Sequence, residues 1–191
     1  LLIKSNLKKN QSAYMKTVNE SAVSLMEIVN DVLDFSKIES GKLELNNEEI
    51  NLFKLINQVV NLFKYQANQK NIDLSLNIEK NTPQYIVADS VRLKQILVNL
   101  LSNAIKFTNF GEIRLDINEI DIIDKMWSVI KFSVKDTGVG IKSENNEKIF
   151  NSFVQEDNST SRKFGGTGLG LAISNQLLSL MDSELQLVSN Y

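Results

Sequence analysis

At residues 94–108 the chain reads KQILVNLLSNAIKFT, an amphipathic segment that predicts a helix ending near Phe107. Its apolar stripe has helical spacing and consists of Leu93, Ile96, Leu97, Leu100, Leu101, Ala104 and Ile105. A polar stripe runs beside it and consists of Arg92, Gln95, Asn99, Asn103 and Lys106. Asparagine is a mediocre helix former, so two of them one turn apart need an explanation. An amide oxygen suits Mg²⁺ and Lys106 could pair with a phosphate, although a solvated helix face is the simpler alternative.

The segment that follows the last long alternating strand reads KDTGVGI, residues 135–141. It places the carboxylate of Asp136 directly before Gly138 and Gly140. A carboxylate beside bare backbone can accept a hydrogen bond from the amine of a nucleobase. The alternative is an ordinary turn that begins with aspartate.

A glycine-rich turn, GGTGLGL at residues 165–171, comes before a predicted helix from about 167 to 181. Clustered glycines expose backbone N–H groups, and a helix N-terminus adds partial positive charge, so this turn suits a phosphate. Glycine-rich turns also occur without ligands. No Gly-Lys-Ser/Thr follows, which excludes a P-loop, and no strand precedes the turn, which excludes a dinucleotide-binding fingerprint.

Between the two glycine segments lies a polar stretch, residues 151–164, predicted as a lid or a flexible surface loop. Phe150 and Phe153 could hold its base, and Arg162 or Lys163 could reach a phosphate.

The remaining pattern predicts a layered arrangement of helices and strands. Residues 11–40 form a predicted helix with a heptad seam, and Gly41 suits its end. The seam consists of Met15, Val18, Ala22, Leu25, Val29 and Val32; the helix could pair with another helix or lie on its own domain. We predict a linker at 46–51, a helix at 52–70, and strands at 72–79, 84–87, 113–117, 130–134 and 184–188.

Composition narrows the possible functions. The net charge is -2, which gives no basic surface for nucleic acid, so no nucleic-acid partner is expected. The chain has no cysteine and no histidine, which removes thiolate metal sites and nucleophile–histidine pairs. No apolar run approaches the roughly 20 residues of a membrane span, so no direct membrane contact is expected.

Four segments, in this order, resemble the N box, first glycine box, F box and second glycine box of histidine kinases in the GHKL superfamily. Upstream, LDFSKIESGKL at residues 33–43 resembles the end of the second dimerisation helix, especially that of hybrid kinases. The resemblance implies an α/β (α+β) fold, a two-layer Bergerat sandwich of mixed sheet and helices preceded by a long dimerisation helix. We expect a partial dimerisation segment at 1–45 without the acceptor histidine, and a catalytic domain at 46–191 that stops before the family's closing hairpin.

The resemblance also implies a histidine kinase site that binds ATP and Mg²⁺. By it, Asp136 binds the adenine amine, Asn103 binds the metal, and Asn99 and Lys106 contact the phosphate side. Arg162 and Lys163 would serve the lid. The other implied nucleotide-site residues are Gly138, Gly140, Ile141, Phe150, Phe153, Gly166, Thr167, Gly168, Leu169 and Gly170. The implied partners are a second copy, bound through helix 11–40, and a response regulator or receiver domain. The implied location is the cytoplasm, for a parent that could itself be membrane-bound.

Three departures from the family pattern bear on function. ATP-hydrolysing relatives have a glutamate base four residues before the metal-binding asparagine, where this chain has Asn99; phosphoryl transfer to a protein is therefore favoured over hydrolysis. The chain contains no acceptor histidine. Asp182 and Ser183 stand where the family tends to have glycines. The alternative function is a nucleotide-binding regulatory or dimerisation module without kinase activity.

Overall fold

The computed structural model describes residues 8–123, 127–146, 148–150 and 168–189. The chain divides into two compact units, residues 1–43 and residues 44–191. The predicted residues Phe153, Arg162, Lys163, Gly166 and Thr167 lie outside the described part, as does the stretch predicted as a lid.

The first unit consists of one long helix, α1 (Lys9–Glu39), which confirms the helix predicted from the heptad seam. Every residue of the seam except the half-buried Met15 is exposed, including Val18, Leu25 and Val29. Gly41 ends the helix in the left-handed region at φ 63°, and the N–H of Lys42 bonds the carbonyl of Lys37. None of the described helices is long and apolar enough to span a bilayer.

The second unit contains a three-stranded mixed sheet covered on one face by helices, and a separate two-stranded sheet. Its elements are β1 (Glu48–Asn51), α2 (Leu52–Gln69), β2 (Ile72–Ile78), β3 (Tyr85–Ala88), α3 (Ser90–Phe107), β4 (Gly111–Ile123), β5 (Trp127–Asp136) and α4 (Gly170–Leu180). Two 3₁₀ turns, Ser143–Asn145 and Lys148–Phe150, lie between β5 and α4. Strand β2 pairs in parallel with β4, β4 pairs antiparallel with β5, and β1 pairs antiparallel with β3.

The core lies between the central strand β4 and the helices α2 and α3. Ile113, Leu115 and Ile117 alternate along β4 and are fully buried, as the period-two pattern predicts. They join one cluster with Leu52, Ile56, Val59, Leu97 and Leu101 from the helices. At roughly 1.5–3 kcal/mol for each fully buried large apolar side chain, this packing is what fixes the helices on the sheet.

Helix α3 begins at Ser90, directly after the capping residue Asp89. The carboxylate of Asp89 accepts from the N–H groups of Val91 and Arg92, both at 3.0 Å, which satisfies two donors of the first turn. Its other oxygen accepts from the N–H of Asn46 at 3.0 Å. The buried Asp89 therefore ties the segment before β1 to the start of α3.

Two local predictions are wrong. Residues 48–51 of the predicted linker form β1, because Ile50 is buried and pairs with Ile86 of β3. Residues 184–188 form no strand: their alternating pattern has no pairing partner in the described part of the chain, and Val188 is exposed. Alternation alone does not make a strand when no neighbour satisfies the backbone donors and acceptors.

Candidate functional site

The polar stripe of α3 faces helix α4. Asn103 Nδ2 donates to Asn99 Oδ1 at 3.4 Å, and Asn99 Nδ2 donates to Ser174 Oγ of α4 at 2.8 Å. One turn earlier, Arg92 Nη1 donates to Gln95 Oε1 at 2.8 Å. Asn99 and Asn103 are half-buried, so the stripe is not a freely solvated face.

The first residue of α4 presses against Asn99. A Cβ placed on Gly170 would lie 2.3 Å from Asn99 Oδ1 and 3.0 Å from its Cγ, closer than real Cβ atoms approach. A side chain at position 170 would therefore push α3 and α4 apart. The glycine is needed here for close approach between two helices, while Gly168, at φ 71°, supplies the left-handed turn that leads into α4.

The C-terminal end of α3 meets the loop that follows β5. A Cβ on Gly138 would lie 2.7 Å from the carbonyl oxygen of Phe107 and 2.7 Å from Asp136 Oδ1. The N–H of Gly138 donates to Asp136 Oδ1 at 2.8 Å, which holds the carboxylate beside the turn. Thr137 locks the loop onto β4, because its N–H donates to the carbonyl of Glu112 at 3.2 Å.

Lys106 supplies a positive charge at this end of α3. Its Nζ lies 5.0 Å from the centroid of the Phe107 ring, within the range of a cation–π contact. Partial burial lowers the pKa of the Lys106 ammonium from its ordinary value. A partly desolvated ammonium interacts more strongly with a bound anion than a fully hydrated one does.

The residues present fit a nucleotide and a magnesium ion. Asn103 uses its amide N–H toward Asn99, which leaves an amide oxygen of the kind that Mg²⁺ accepts alongside water and phosphate oxygens. The described residues contain no cluster of three or more acidic, histidine or cysteine side chains. The hydroxyl of Thr108 is fully buried without a hydrogen-bond partner among the described residues, and it follows Phe107 directly.

The structure thus brings together Asn99, Asn103, Lys106, Asp136 and Gly138 around α3, with Gly168, Leu169 and Gly170 at the start of α4. Three further predicted residues lie along the chain after Asp136. Gly140 has φ 69°, the N–H of Ile141 donates to Ser189 Oγ at 2.8 Å, and Phe150 ends a 3₁₀ turn that contacts α4. No described contact joins these three to α3.

Two residues that support the site were not predicted from the sequence. Ser174 is buried and holds Asn99, and a serine inside an apolar helix face was the available signal. Lys70 reaches the end of α3 from 35 residues away in sequence, and no local pattern reports such a contact.

The family model for the histidine kinase-, DNA gyrase B-, and HSP90-like ATPase matches residues 88–191. This match covers α3, the Asp136 loop and α4. Among curated proteins the chain is similar to the sensor histidine kinase GacS of Pseudomonas protegens, with 42% identity over 97% of this chain and 20% of that protein. The chain therefore spans about a fifth of the length of that relative.

Solved structures show the same fold. The full-length ShkA structure in complex with AMPPNP superposes with a TM-score of 0.77 at 35% identity, covering 95% of this chain and 36% of that one. The histidine kinase ThkA, in complex with the response regulator protein TrrA, superposes with a TM-score of 0.57 at 29% identity. That match covers 80% of this chain and 43% of the other. These structures confirm the mixed α/β fold that the resemblance implied.

Proposed function

The chain belongs to the histidine kinase-, DNA gyrase B-, and HSP90-like ATPase family, and from this premise we propose that it binds ATP with Mg²⁺ and transfers the γ-phosphoryl group to a protein histidine. The domain itself is the ATPase catalytic domain of the sensor histidine kinase type. The metal, the acceptor and the residue roles are our proposal.

Asp136 reads the base. Gly138 takes one hydrogen-bonding position of the carboxylate, and each carboxylate has about four, so acceptor positions remain for the amine of adenine. Because Gly138 has no side chain, the loop that carries Asp136 lies directly against the carbonyl of Phe107 at the end of α3. Gly140 and Ile141 follow in the same loop and would also lie beside the base.

The phosphate end lies along α3 and the start of α4. Asn103 offers an amide oxygen to Mg²⁺, and Lys106 offers charge to a phosphate. Asn99 contributes on the phosphate side and holds Asn103 and α4 in register. The turn Gly168–Gly170 presents backbone N–H groups at the positive end of the α4 dipole. Bound Mg²⁺ would neutralise charge on the phosphates during transfer.

The observation that carries this proposal is that α3 joins both halves of the site. Its middle bonds α4 through Asn99 and Ser174, and its end contacts the Asp136 loop through Phe107 and Gly138. Enzymes catalyse phosphoryl transfer by positioning the reactants and by stabilising charge. Helix α3 contributes to positioning because it holds α4 and the Asp136 loop in a fixed relation.

The acceptor must come from another helix, because the sequence holds no histidine. We propose a dimerisation helix that pairs with α1 in the parent protein, with two copies meeting through residues 11–40. Val18, Leu25 and Val29 are exposed and suited to such pairing. A response regulator or receiver domain would then take the phosphoryl group, and the reaction would occur in the cytoplasm. The ThkA–TrrA complex supports the partner class.

The test supplies γ-labelled ATP, Mg²⁺ and a separately produced dimerisation helix pair that carries its histidine, for example from a GacS-type kinase. We expect label on the helix pair, absent when its histidine is replaced by glutamine and reduced with Asn103→Ala. If the chain is instead a regulatory module, it should bind ATP just as tightly, but no label should appear on any helix pair. Label retained by the Asn103→Ala chain at the wild-type rate would remove that residue from the metal site.

A further inference from the structure

One ammonium group reaches the end of α3 from a different helix. Lys70 Nζ donates to the carbonyl oxygen of Ile105 at 2.6 Å, to that of Thr108 at 3.2 Å and to that of Lys106 at 3.4 Å. An ammonium has three donors, and three carbonyl acceptors surround this one. Lys70 itself is half-buried.

These carbonyls lie at the end of a helix, where the helix has no further N–H groups of its own to offer. The N–H of Thr108, the residue after the helix, bonds the carbonyl of Ala104 at 3.0 Å, and the carbonyl of Ile105 comes next. The same end carries the negative pole of the helix dipole, which favours a cation. Lys70 therefore both satisfies the last turn of α3 and neutralises its pole.

The place of Lys70 is fixed by its own backbone. It caps α2, with its N–H bonded to the carbonyls of Gln66 and Ala67. Asn71 then takes φ 54°, in the left-handed region, and turns the chain into β2. Because Ile72 is buried and pairs with Gly111 of β4, the backbone of Lys70 is held between the end of α2 and the sheet.

The segment that Lys70 holds is part of the nucleotide site. Lys106 supplies the phosphate-side charge, and the carbonyl of Phe107 lies against Gly138 beside Asp136. We propose that Lys70 is a positioning residue: its ammonium fixes the last turn of α3 and, through it, Lys106 and the wall that faces the base. The proposal rests on the proposed function, because it assigns Lys70 a role in ATP binding without contact to the nucleotide.

The first measurement needs no nucleotide. Lys70→Met keeps a side chain of similar length and removes the charge and the donors. Amide exchange at Thr108, measured by NMR, should become about tenfold faster, relative to Leu101 in the middle of the same helix. Lys64→Met is the matched control, because Lys64 lies exposed on the same helix α2, and it should leave both amides unchanged.

The second measurement is calorimetric titration of the chain with Mg·ATP. Lys70→Met should weaken binding about five- to tenfold, and Lys70→Arg, which keeps the charge, should restore part of both the affinity and the exchange protection. If Lys70 acts through Lys106, the losses of Lys70→Met and Lys106→Met should not multiply in the double variant. If Lys70→Met does not fold, Lys70→Gln, which keeps two N–H donors, undergoes both measurements.

The two measurements test the proposed function and the positioning role of Lys70 separately. A wild-type chain that binds no ATP defeats the proposed function, while the exchange measurement still decides whether Lys70 fixes the end of α3. Unchanged exchange at Thr108 in folded Lys70→Met or Lys70→Gln, neither of which keeps the ammonium, overturns the positioning role. Wild-type ATP affinity in that variant, or losses that multiply in the double variant, overturns its action through Lys106.

Discussion

Gly170→Ala tests the packing contact between α3 and α4 on which the site depends. The added Cβ would lie 2.3 Å from Asn99 Oδ1, 3.0 Å from Cγ and 3.3 Å from Nδ2. The side chain of Asn99 cannot swing away freely, because its Nδ2 donates to Ser174 at 2.8 Å and Ser174 is buried. Either that hydrogen bond breaks or the first turn of α4 moves outward.

The size of the effect follows from opposing contributions. Overpacking costs about 1–3 kcal/mol, and loss of the hydrogen bond to the buried Ser174 costs about 1 kcal/mol. The higher helix propensity of alanine offsets up to about 1 kcal/mol, less at a helix end. We expect a net loss of about 1–3 kcal/mol in the free energy of unfolding, which lowers Tm by about 2–4 °C per kcal/mol at this domain size.

Urea unfolding of four proteins measures the contact directly: wild type, Gly170→Ala, Asn99→Ala and the double variant. Removing the Asn99 amide leaves space for the new methyl group, so Gly170→Ala should cost little or nothing in that background. ATP affinity should fall in Gly170→Ala, because the phosphate turn ends at this residue. A Gly170→Ala chain as stable as wild type, or the same loss in both backgrounds, would refute the packing argument.

Three further predictions concern single sites. Asn103→Ala should abolish the Mg²⁺-dependent part of ATP binding and leave metal-free binding largely intact; calorimetry with and without Mg²⁺ checks this, and equal losses would point to another ligand. Burial works to raise the pKa of Asp116, yet hydrogen bonds from Lys135 and Asn77 and the charges of Lys135 and Arg114 hold it below its ordinary 3.8. The stabilising contribution is therefore present above pH 3.8 and is lost as pH falls through the lower folded value. The stability gap between wild type and Asp116→Asn in urea should close on acidification, and a gap constant from neutral pH to pH 3 would contradict it. Asp89→Ala should lower the free energy of unfolding by about 1–2 kcal/mol because the cap of α3 is lost, and by somewhat more because the hydrogen bond from Asn46 is lost. Thermal unfolding measures the total. A change within a few tenths of a kcal/mol would show that the cap is replaceable.

The elements that carry strong periodicity could be predicted from the sequence. Helix α3 and the strand containing Ile113, Leu115 and Ile117 follow from hydrophobic spacing alone, because one face of each must be buried. Asp89 at the start of α3 follows from capping chemistry. The polar stripe of α3 and the glycine turns each indicated where a ligand could bind. Only the four segments together, in their order along the chain, indicated a nucleotide site.

What the sequence could not show are pairings and contacts between distant segments. Strand β1 has four residues, and only its pairing with β3 makes it a strand; residues 184–188 alternate well but pair with none of the described segments. The contacts of Lys70 with α3 and of Asn99 with Ser174 span 35 and 75 residues. Asp182, which stands at a family glycine position, takes φ 51°, a conformation that aspartate tolerates better than most residues.

In the proposed site, Asp136 selects adenine through its exocyclic amine. Inosine triphosphate replaces that amine by a carbonyl, turns the neighbouring N1 from an acceptor into a donor and leaves the triphosphate unchanged, so it tests recognition of this edge of the base separately from phosphate binding. In calorimetric titrations with Mg²⁺, the wild-type chain should bind ATP more tightly than inosine triphosphate by about 5- to 150-fold, since an unpaired polar contact costs about 1–3 kcal/mol.

Asp136→Asn places an amide donor at the same position and should shrink or reverse that preference, while its circular dichroism and Tm stay close to wild type. The decisive measurement is therefore the ratio of ATP to inosine triphosphate affinity in wild type and in Asp136→Asn. We expect a large ratio of ATP to inosine triphosphate affinity in the wild-type chain, and a ratio that falls toward or below one in Asp136→Asn. A ratio near one in the wild-type chain, or a ratio unchanged by the substitution, would contradict it.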